Sequence, residues 1–225
     1  MRARFLQRAE TREMEGKLRA VVFPGPEGPL EGLWREAAIR PCGSAVFAHP
    51  HPLHGGTLHN KVVYRAAKAL AGAGYGTLRF NFRGVGLSAG RYDEGRGEME
   101  DFRAAMAEAQ RRGGAPLVAG GFSFGAAVAL RAIAGDARVA AYIGVGLPLA
   151  TETARELPLP EVPALFVVGE RDGFGPPGLL RAFVGDSGRI VEIASGDHFL
   201  EGRLPALEEA IRRFLAEQPA AVPAP

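Results

Sequence analysis

PLVAGGFSFGAAVALRA, residues 116–132, sets an apolar run, a glycine-flanked serine and a run of helix formers in direct succession. Residues 117–119 have the composition of a buried strand, and residues 125–134 are rich in helix-favouring types. The pattern GxSxG between them is typical of a sharp turn that lifts a serine off a strand and onto a helix. We therefore predict Ser123 as a nucleophile, with the Phe124 N–H at the helix N-terminus as a donor to a developing oxyanion.

The same pattern occurs a second time, as GLSAG at residues 86–90. There it lies in a loop with no adjacent helix start. Serine and glycine are common in turns, so we predict Ser88 as a polar turn residue. The local context, rather than the pattern itself, favours Ser123.

Apolar runs and helical stretches alternate through the rest of the chain. Two antiparallel strands are predicted first, at residues 17–23 and 30–35, joined by a loop rich in proline and glycine. Further strands are predicted at 44–48, 77–82, 117–119, 139–145, 164–168 and 189–193, and helices at 61–73, 97–112, 125–134, 177–184 and 205–217. This order predicts an α/β fold with a mostly parallel central sheet, an antiparallel N-terminal hairpin and helices on both faces.

The composition fits one domain spanning residues 1–225. With 47% hydrophobic and 23% charged residues the chain can bury one sizeable core, and its 27 basic and 25 acidic residues are mixed, which argues against nucleic-acid or membrane partners. The first twenty residues lack the apolar core of a signal peptide, and no stretch approaches the roughly 18 apolar residues of a membrane span. We expect a cytoplasmic protein with an N-terminal extension over about residues 1–15 and a disordered Pro/Ala tail from about residue 218.

Only one histidine, His198, follows Ser123, because the other four lie at positions 49, 51, 54 and 59. Enzymes that carry GxSxG on such a turn order their catalytic triad as serine, acid and histidine. His198 is therefore the candidate general base.

The acid of such a triad should follow a strand that lies between the serine and the histidine. Asp172, a few residues beyond the predicted strand 164–168, is our choice, and Glu170 is the alternative. Asp197 is adjacent to His198, and neighbouring side chains rarely align for a hydrogen bond to Nδ1. We predict that Asp197 shapes the loop.

The loop after the predicted strand 44–48 reads HPHPLHGGT, residues 49–57. Enzymes of this layout keep their second oxyanion donor in this loop. Prolines have no N–H to donate. The Leu53 N–H is therefore our first choice and the His51 N–H the second.

The same loop supports a different class of function. His49, His51 and His54 form HxHxxH, which is similar to the HxHxDH metal motif of metallo-β-lactamase-fold hydrolases, but Leu53 stands where that motif has aspartate. Zinc needs several converging ligands, and only His198 is available downstream. A metal-dependent hydrolase is the weaker alternative, and a purely structural loop is a third.

Together these pieces resemble the small, lidless bacterial hydrolases of the α/β-hydrolase superfamily related to dienelactone hydrolase. The resemblance spans roughly residues 17–215, and its most specific part is HPHPLHGGTLHNKVV at 49–63. The other matching parts are FNFRGVG at 80–86, the Ser123 turn, and the loops of Asp172 and His198. The resemblance implies an esterase-like activity on a small-molecule ester, with no cofactor. Dienelactone hydrolases carry cysteine at the turn, so lactone specificity is not implied; a catalytically silent binding protein of the same fold is the alternative.

Residues 146–163 are too few, and too rich in proline, to form a helical lid domain. We therefore predict an uncovered site that takes short, accessible acyl groups rather than long buried lipid chains. Phe122 and Phe124, beside the serine, are predicted to line an apolar wall of this site.

Overall fold

A computed structural model of the chain describes residues 16–218, so the predicted N-terminal extension and nearly all of the predicted tail lie outside the described residues. Its strands are β1 (Leu18–Gly25), β2 (Gly28–Arg35), β3 (Gly43–Ala48), β4 (Tyr75–Phe80), β5 (Leu117–Phe122), β6 (Val139–Val145), β7 (Ala164–Gly169) and β8 (Arg189–Ile193). Its helices are α1 (Lys61–Gly72), α2 (Arg96–Gly113), α3 (Phe124–Ala132), α4 (Pro177–Val184) and α5 (Leu204–Glu217). Among residues 16–218, no helix combines the length and apolar character needed to cross a membrane.

The strands form one sheet in the order β1-β2-β4-β3-β5-β6-β7-β8. β1 and β2 form an antiparallel hairpin whose register runs from Leu18 opposite Arg35 to Gly25 opposite Gly28. β2 also pairs antiparallel with β4, whereas the remaining neighbouring pairs are parallel. The prediction of a mostly parallel sheet with an antiparallel N-terminal hairpin is confirmed.

Helices cover both faces of the sheet, and each face has its own hydrophobic core. α2, α3 and α4 cover one face, burying Phe102, Leu130 and Leu180. α1 and α5 cover the other face, burying Leu70 and Ile211. Because both faces are covered, every residue of β3, β5 and β7 is buried, as is usual for parallel strands between helix layers.

Two central strands end at different residues than the sequence suggested. β5 continues past residue 119 to Phe122, so the strand leads directly into Ser123. β4 ends at Phe80 rather than at residue 82, because the Phe82 N–H donates to the imidazole of His49 instead of to a neighbouring strand. The other predicted elements match the observed ones to within two residues at each end.

The carboxyl ends of the parallel strands β3 to β8 meet at one edge of the sheet. In parallel α/β sheets ligand sites lie at this edge. Between β6 and β7 the described chain forms a short 3-10 turn, Glu152–Ala154, and no lid domain covers the edge. Within residues 16–218, the loops that carry the candidate residues therefore have no separate domain above them.

Candidate active site

Ser123 lies at the junction of β5 and α3 in a backbone conformation that side chains rarely adopt. Its φ is 55° and its ψ −119°. Its N–H donates to the Val145 carbonyl (2.8 Å), and its own carbonyl accepts from the Ala126 N–H (2.9 Å). A non-glycine residue in the left-handed region costs energy and is typical of functional turns. The strand, the turn and the helix thus hold the serine at the sheet edge, as GxSxG predicts.

Both glycines of this GxSxG are required by close backbone approaches. A Cβ on Gly121 would lie 2.4 Å from the carbonyl carbon of Gly125. A Cβ on Gly125 would lie 2.4 Å from the carbonyl oxygen of His49. The second contact also brings the histidine-rich loop against the start of α3, beside Ser123.

His198 bonds to two side chains at once. Its Nε2 lies 3.0 Å from Ser123 Oγ, and its Nδ1 lies 2.8 Å from Asp172 Oδ2. Because a carboxylate only accepts, Nδ1 carries the imidazole proton, and Nε2 is left to accept the serine hydroxyl. Ser123 and His198 keep 9% and 8% exposure, whereas Asp172 keeps 2%. The three predicted residues therefore lie in one hydrogen-bonded chain whose serine end reaches solvent.

Asp172 is held in place by the backbone of the loop after β7. Its Oδ1 accepts from the N–H groups of Phe174 (2.9 Å) and Gly175 (3.2 Å), which leaves Oδ2 for His198. Its own N–H donates to the Gly169 carbonyl (3.0 Å). These backbone bonds fix the orientation of the carboxylate toward His198.

The two other acidic candidates have different partners. Glu170 is exposed, and its carboxylate accepts from the Ser195 N–H (2.7 Å). Asp197 accepts from the Glu201 N–H (3.0 Å) and closes the turn after His198. Of the acidic residues weighed from the sequence, Asp172 is the one bonded to His198.

His49 is fully buried and joins two loops. Its Nε2 accepts from the Phe82 N–H (3.1 Å), so Nδ1 carries the proton and donates to the Pro50 carbonyl (2.6 Å). Burial lowers the pKa of His49 to about 4 and outweighs the opposite effect of the Pro50 hydrogen bond. Since both ring nitrogens are bonded within the protein, His49 has no lone pair to offer a metal. Among residues 16–218, no group of three or more His, Cys, Asp or Glu side chains is arranged to hold a metal ion.

The Leu53 N–H, our first choice for the second oxyanion donor, already has an acceptor. It donates to Nδ1 of His51 (3.2 Å), and the Leu53 side chain is 67% exposed. Within the described residues neither the His51 N–H nor the Phe124 N–H donates to a protein acceptor. These two N–H groups are therefore free to bind a substrate oxygen.

Tyr92 contacts His51 from the loop that precedes α2, a contact that sequence reasoning missed. Because the Leu53 N–H donates to Nδ1 of His51, the neutral ring carries its proton on Nε2, which donates to the Tyr92 hydroxyl (3.2 Å). Burial, together with the charge of a protonated His54, lowers the pKa of His51 and favours this neutral form. The ring of His51 also packs 4.9 Å from that of Phe124. Tyr92 thus fixes the loop that carries one of the free N–H groups.

The aromatic surface around His198 differs from the predicted apolar wall. Phe122 and Phe124 are buried, although the Phe122 ring packs 5.0 Å from the imidazole. The accessible rings beside His198 belong instead to Phe174 and Phe199, at 4.6 and 5.3 Å. Both residues lie in the loops of the predicted acid and base, so their chain positions were a signal that could have identified them.

Ser88, the serine of the second GxSxG, has a structural environment. Its hydroxyl donates to the Asn81 carbonyl (2.7 Å) and accepts from the Glu31 N–H (3.0 Å). Its loop begins at Arg83, whose guanidinium makes a buried, bidentate ion pair with Asp101. Ser88 therefore ties the loop that follows β4 to β2 and to the exit of β4.

Comparisons with known proteins agree with this fold. Residues 44–210 match the family model described as an alpha/beta hydrolase domain. A solved alpha-beta serine hydrolase homologue from Coxiella burnetii is 38% identical, with a TM-score of 0.81 over 87% of this chain and 96% of that chain. A solved α/β serine hydrolase without lid from Xanthomonas campestris is 30% identical, with a TM-score of 0.84 over 92% of this chain and 97% of that one. An uncharacterized protein of Rickettsia prowazekii is 40% identical over 134 residues, which are 58% of this chain and span 56% of that protein's length. The chain therefore belongs to the α/β-hydrolase family, among its small members without a lid.

Proposed function

We propose that this protein is a serine hydrolase that cleaves small, accessible carboxylic esters through an acyl-enzyme. The observation that carries the proposal is the pair of hydrogen bonds made by His198, to Ser123 Oγ (3.0 Å) and to Asp172 Oδ2 (2.8 Å). A serine alone is a weak nucleophile, and an adjacent base that is itself oriented by a carboxylate is what activates it. The order of the three residues and their places at the strand ends agree with this role.

In the proposed acylation, His198 Nε2 accepts the Ser123 proton while Oγ forms a bond to the carbonyl carbon of the ester. The carbon–oxygen bond to the alcohol then breaks, and the alcohol leaves with the proton from Nε2. Water repeats the sequence on the acyl-enzyme, so that a carboxylic acid is released and the serine is restored. Asp172 accepts from Nδ1 throughout and stabilises the imidazolium.

The oxyanion of each tetrahedral intermediate needs two N–H donors. The Phe124 N–H is the first, because it belongs to the first turn of α3 and shares the positive end of the helix dipole. For the second we favour the His51 N–H, the alternative weighed from the sequence. The Leu53 N–H is less suitable, since it donates to His51 Nδ1 (3.2 Å).

The open sheet edge supports a small-molecule ester as substrate. Without a covering domain, a long acyl chain has little apolar wall to bury against, so acetyl to butyryl esters should react faster than long-chain esters. The proposed reaction needs no cofactor, and we place it in the cytoplasm on the sequence considerations above. A strong preference for long-chain over short-chain p-nitrophenyl esters would contradict this part of the proposal.

A fluorophosphonate probe tests the central claim, because it reacts quickly only with an activated serine. We expect covalent labelling, with the modified peptide identified by mass spectrometry as the one that contains Ser123. Ser88 is the internal control, since it has the same GxSxG pattern and no base beside it. Absence of labelling, as a silent binding protein of this fold would give, or labelling at Ser88, would overturn the proposal.

A further inference from the structure

Two phenylalanines beside His198 keep about half of their surface exposed. Phe174 is 51% exposed, and its ring centroid lies 4.6 Å from that of the imidazole. Phe199 is 54% exposed, and the corresponding distance is 5.3 Å. Each ring leaves apolar surface in water that a bound apolar group would cover.

The backbone roles of these two residues do not require phenyl rings. The Phe174 N–H donates to Asp172 Oδ1 (2.9 Å), a bond that any residue except proline could make. Phe199 follows His198 directly, and its ring packs edge-on against Phe122 at 5.8 Å. The accessible sides of both rings are therefore available for another role.

The proposed chemistry indicates which half of an ester lies at the rings. His198 must return the proton through Nε2 to the oxygen of the departing alcohol, so this oxygen comes within hydrogen-bonding distance of the imidazole. The carbonyl oxygen instead lies at the N–H groups of Phe124 and His51. The alcohol half of the ester is therefore the part beside His198.

We infer that Phe174 and Phe199 form an apolar clamp for the alcohol half of the substrate, and that the enzyme prefers esters of apolar, ring-bearing alcohols over esters of small alcohols. Aromatic rings stack on one another in offset or edge-to-face arrangements and exclude water as they do so. The inference rests on the proposed ester hydrolysis and names the substrate class of the same site.

Two acetates with leaving groups of similar reactivity test the clamp. We compare kcat/KM for benzyl acetate with kcat/KM for ethyl acetate in the wild type and in the variants Phe174→Ala, Phe174→Leu, Phe199→Ala and Phe199→Leu. The ratio should favour benzyl acetate in the wild type and fall about tenfold in each alanine variant, on the order of the effect of one lost aromatic contact. The leucine variants keep apolar volume, so this ratio of kcat/KM values should fall less in them than in the alanine variants. Thermal unfolding of each variant verifies that it is folded.

Val22→Ala is the matched control, because Val22 is 68% exposed on β1, at the opposite edge of the sheet from β8. This variant should leave the ratio unchanged. Ethyl phenylacetate, which carries its ring on the acyl side, should show no comparable sensitivity to the Phe174 and Phe199 variants.

Three results would overturn the clamp. The first is an equal loss of activity on both acetates, which would mean that the rings only support His198. The second is an unchanged ratio in all variants, and the third is a loss confined to ethyl phenylacetate. Absence of any hydrolysis that depends on Ser123 would instead overturn the esterase proposal, and the clamp with it.

Discussion

The segments 86–90 and 121–125 carry the same GxSxG pattern, and their serines are buried to nearly the same extent, with 7% and 9% exposure for Ser88 and Ser123. The Ser88 hydroxyl bonds to the backbone of β2 and of the β4 exit. The Ser123 hydroxyl bonds to the imidazole of His198, and its backbone has a φ of 55°. The pattern by itself therefore specifies only a tight, glycine-flanked turn. The elements on either side decide whether the hydroxyl closes a loop or meets a base.

The largest effect should separate the two serines in one assay. Ser123→Ala removes the proposed nucleophile and should lower kcat for p-nitrophenyl acetate by about 10⁴-fold or more. Ser88→Ala should leave kcat within about threefold but cost about 1–3 kcal/mol in the free energy of unfolding, because a buried carbonyl and a partly buried N–H lose their partner. Steady-state kinetics and urea unfolding measure the two quantities.

A reversed outcome would contradict the roles assigned to the two serines. If Ser88→Ala abolished turnover of the folded enzyme while Ser123→Ala retained it, the assignment of the nucleophile would be wrong. Equal destabilisation by both variants would mean that Ser123, too, mainly serves the fold.

A second variant should leave the Ser123 hydroxyl, like that of Ser88, without a base to accept its proton. Asp172→Asn keeps an oxygen for the N–H groups of Phe174 and Gly175 but turns an amide NH₂ toward His198 Nδ1. The imidazole then carries its proton on Nε2 and cannot accept from the serine, so kcat should fall about 10³- to 10⁴-fold with little change in KM. The pH dependence of kcat/KM is recorded for the variant and the wild type.

Glu170→Gln is the control for this change. Glu170 is exposed, and a glutamine oxygen can still accept from the Ser195 N–H, so kcat should stay within about threefold of the wild-type value. If Glu170→Gln lowered kcat as much as Asp172→Asn does, the acid of the triad would be Glu170 instead.

A further effect, on stability rather than on turnover, concerns His49, whose contacts lie between the exit of β4 and the start of α3. Burial lowers the pKa of His49 from the ordinary 6.5 to about 4. The unfolded chain therefore binds a proton between these pH values that the folded chain does not, so the contribution of His49 is fully present above pH 6.5 and is lost as the pH falls toward 4. The loss should be about 3 kcal/mol over this window.

Urea unfolding of the wild type and His49→Gln, from about pH 7 down to about pH 4, measures this contribution. The glutamine variant should be less stable at neutral pH but should lose less stability on acidification. Parallel pH profiles for the two proteins would show that His49 does not titrate differently in the folded and unfolded chains.

Much of the fold followed from patterns that are local in the chain. The apolar run before Ser123 and the helix formers after it predicted β5, the turn and α3, because burial on both faces makes a parallel strand a short apolar run. The ends were less predictable. After β4 the Asn81 N–H still donates to Glu31 of β2, but the Phe82 N–H donates to the imidazole of His49, which is distant in the sequence.

The residues of the candidate site could be predicted where their order along the chain left few candidates. One histidine follows Ser123, and one strand exit between them carries Asp172, so simple ordering selected the residues that the structure brings together. The proposed second oxyanion donor was harder to select from the sequence, because an N–H is free only when no protein acceptor lies within hydrogen-bonding distance. The His51 imidazole, two residues away, takes the Leu53 N–H, and only the turn geometry reveals this.

The α/β architecture, and the prediction of Ser123 rather than Ser88 as the nucleophile, followed from the sequence because strand and helix signals are periodic and local. The groups that surround His198, by contrast, could be identified only from the three-dimensional arrangement of the loops. Phe122, next to the serine in sequence, is buried, whereas Phe174 and Phe199 come from two separate loops and are exposed beside the imidazole. The physical reason is that a side chain's neighbours across a site depend on how separate strand exits pack at the sheet edge, which no local pattern encodes.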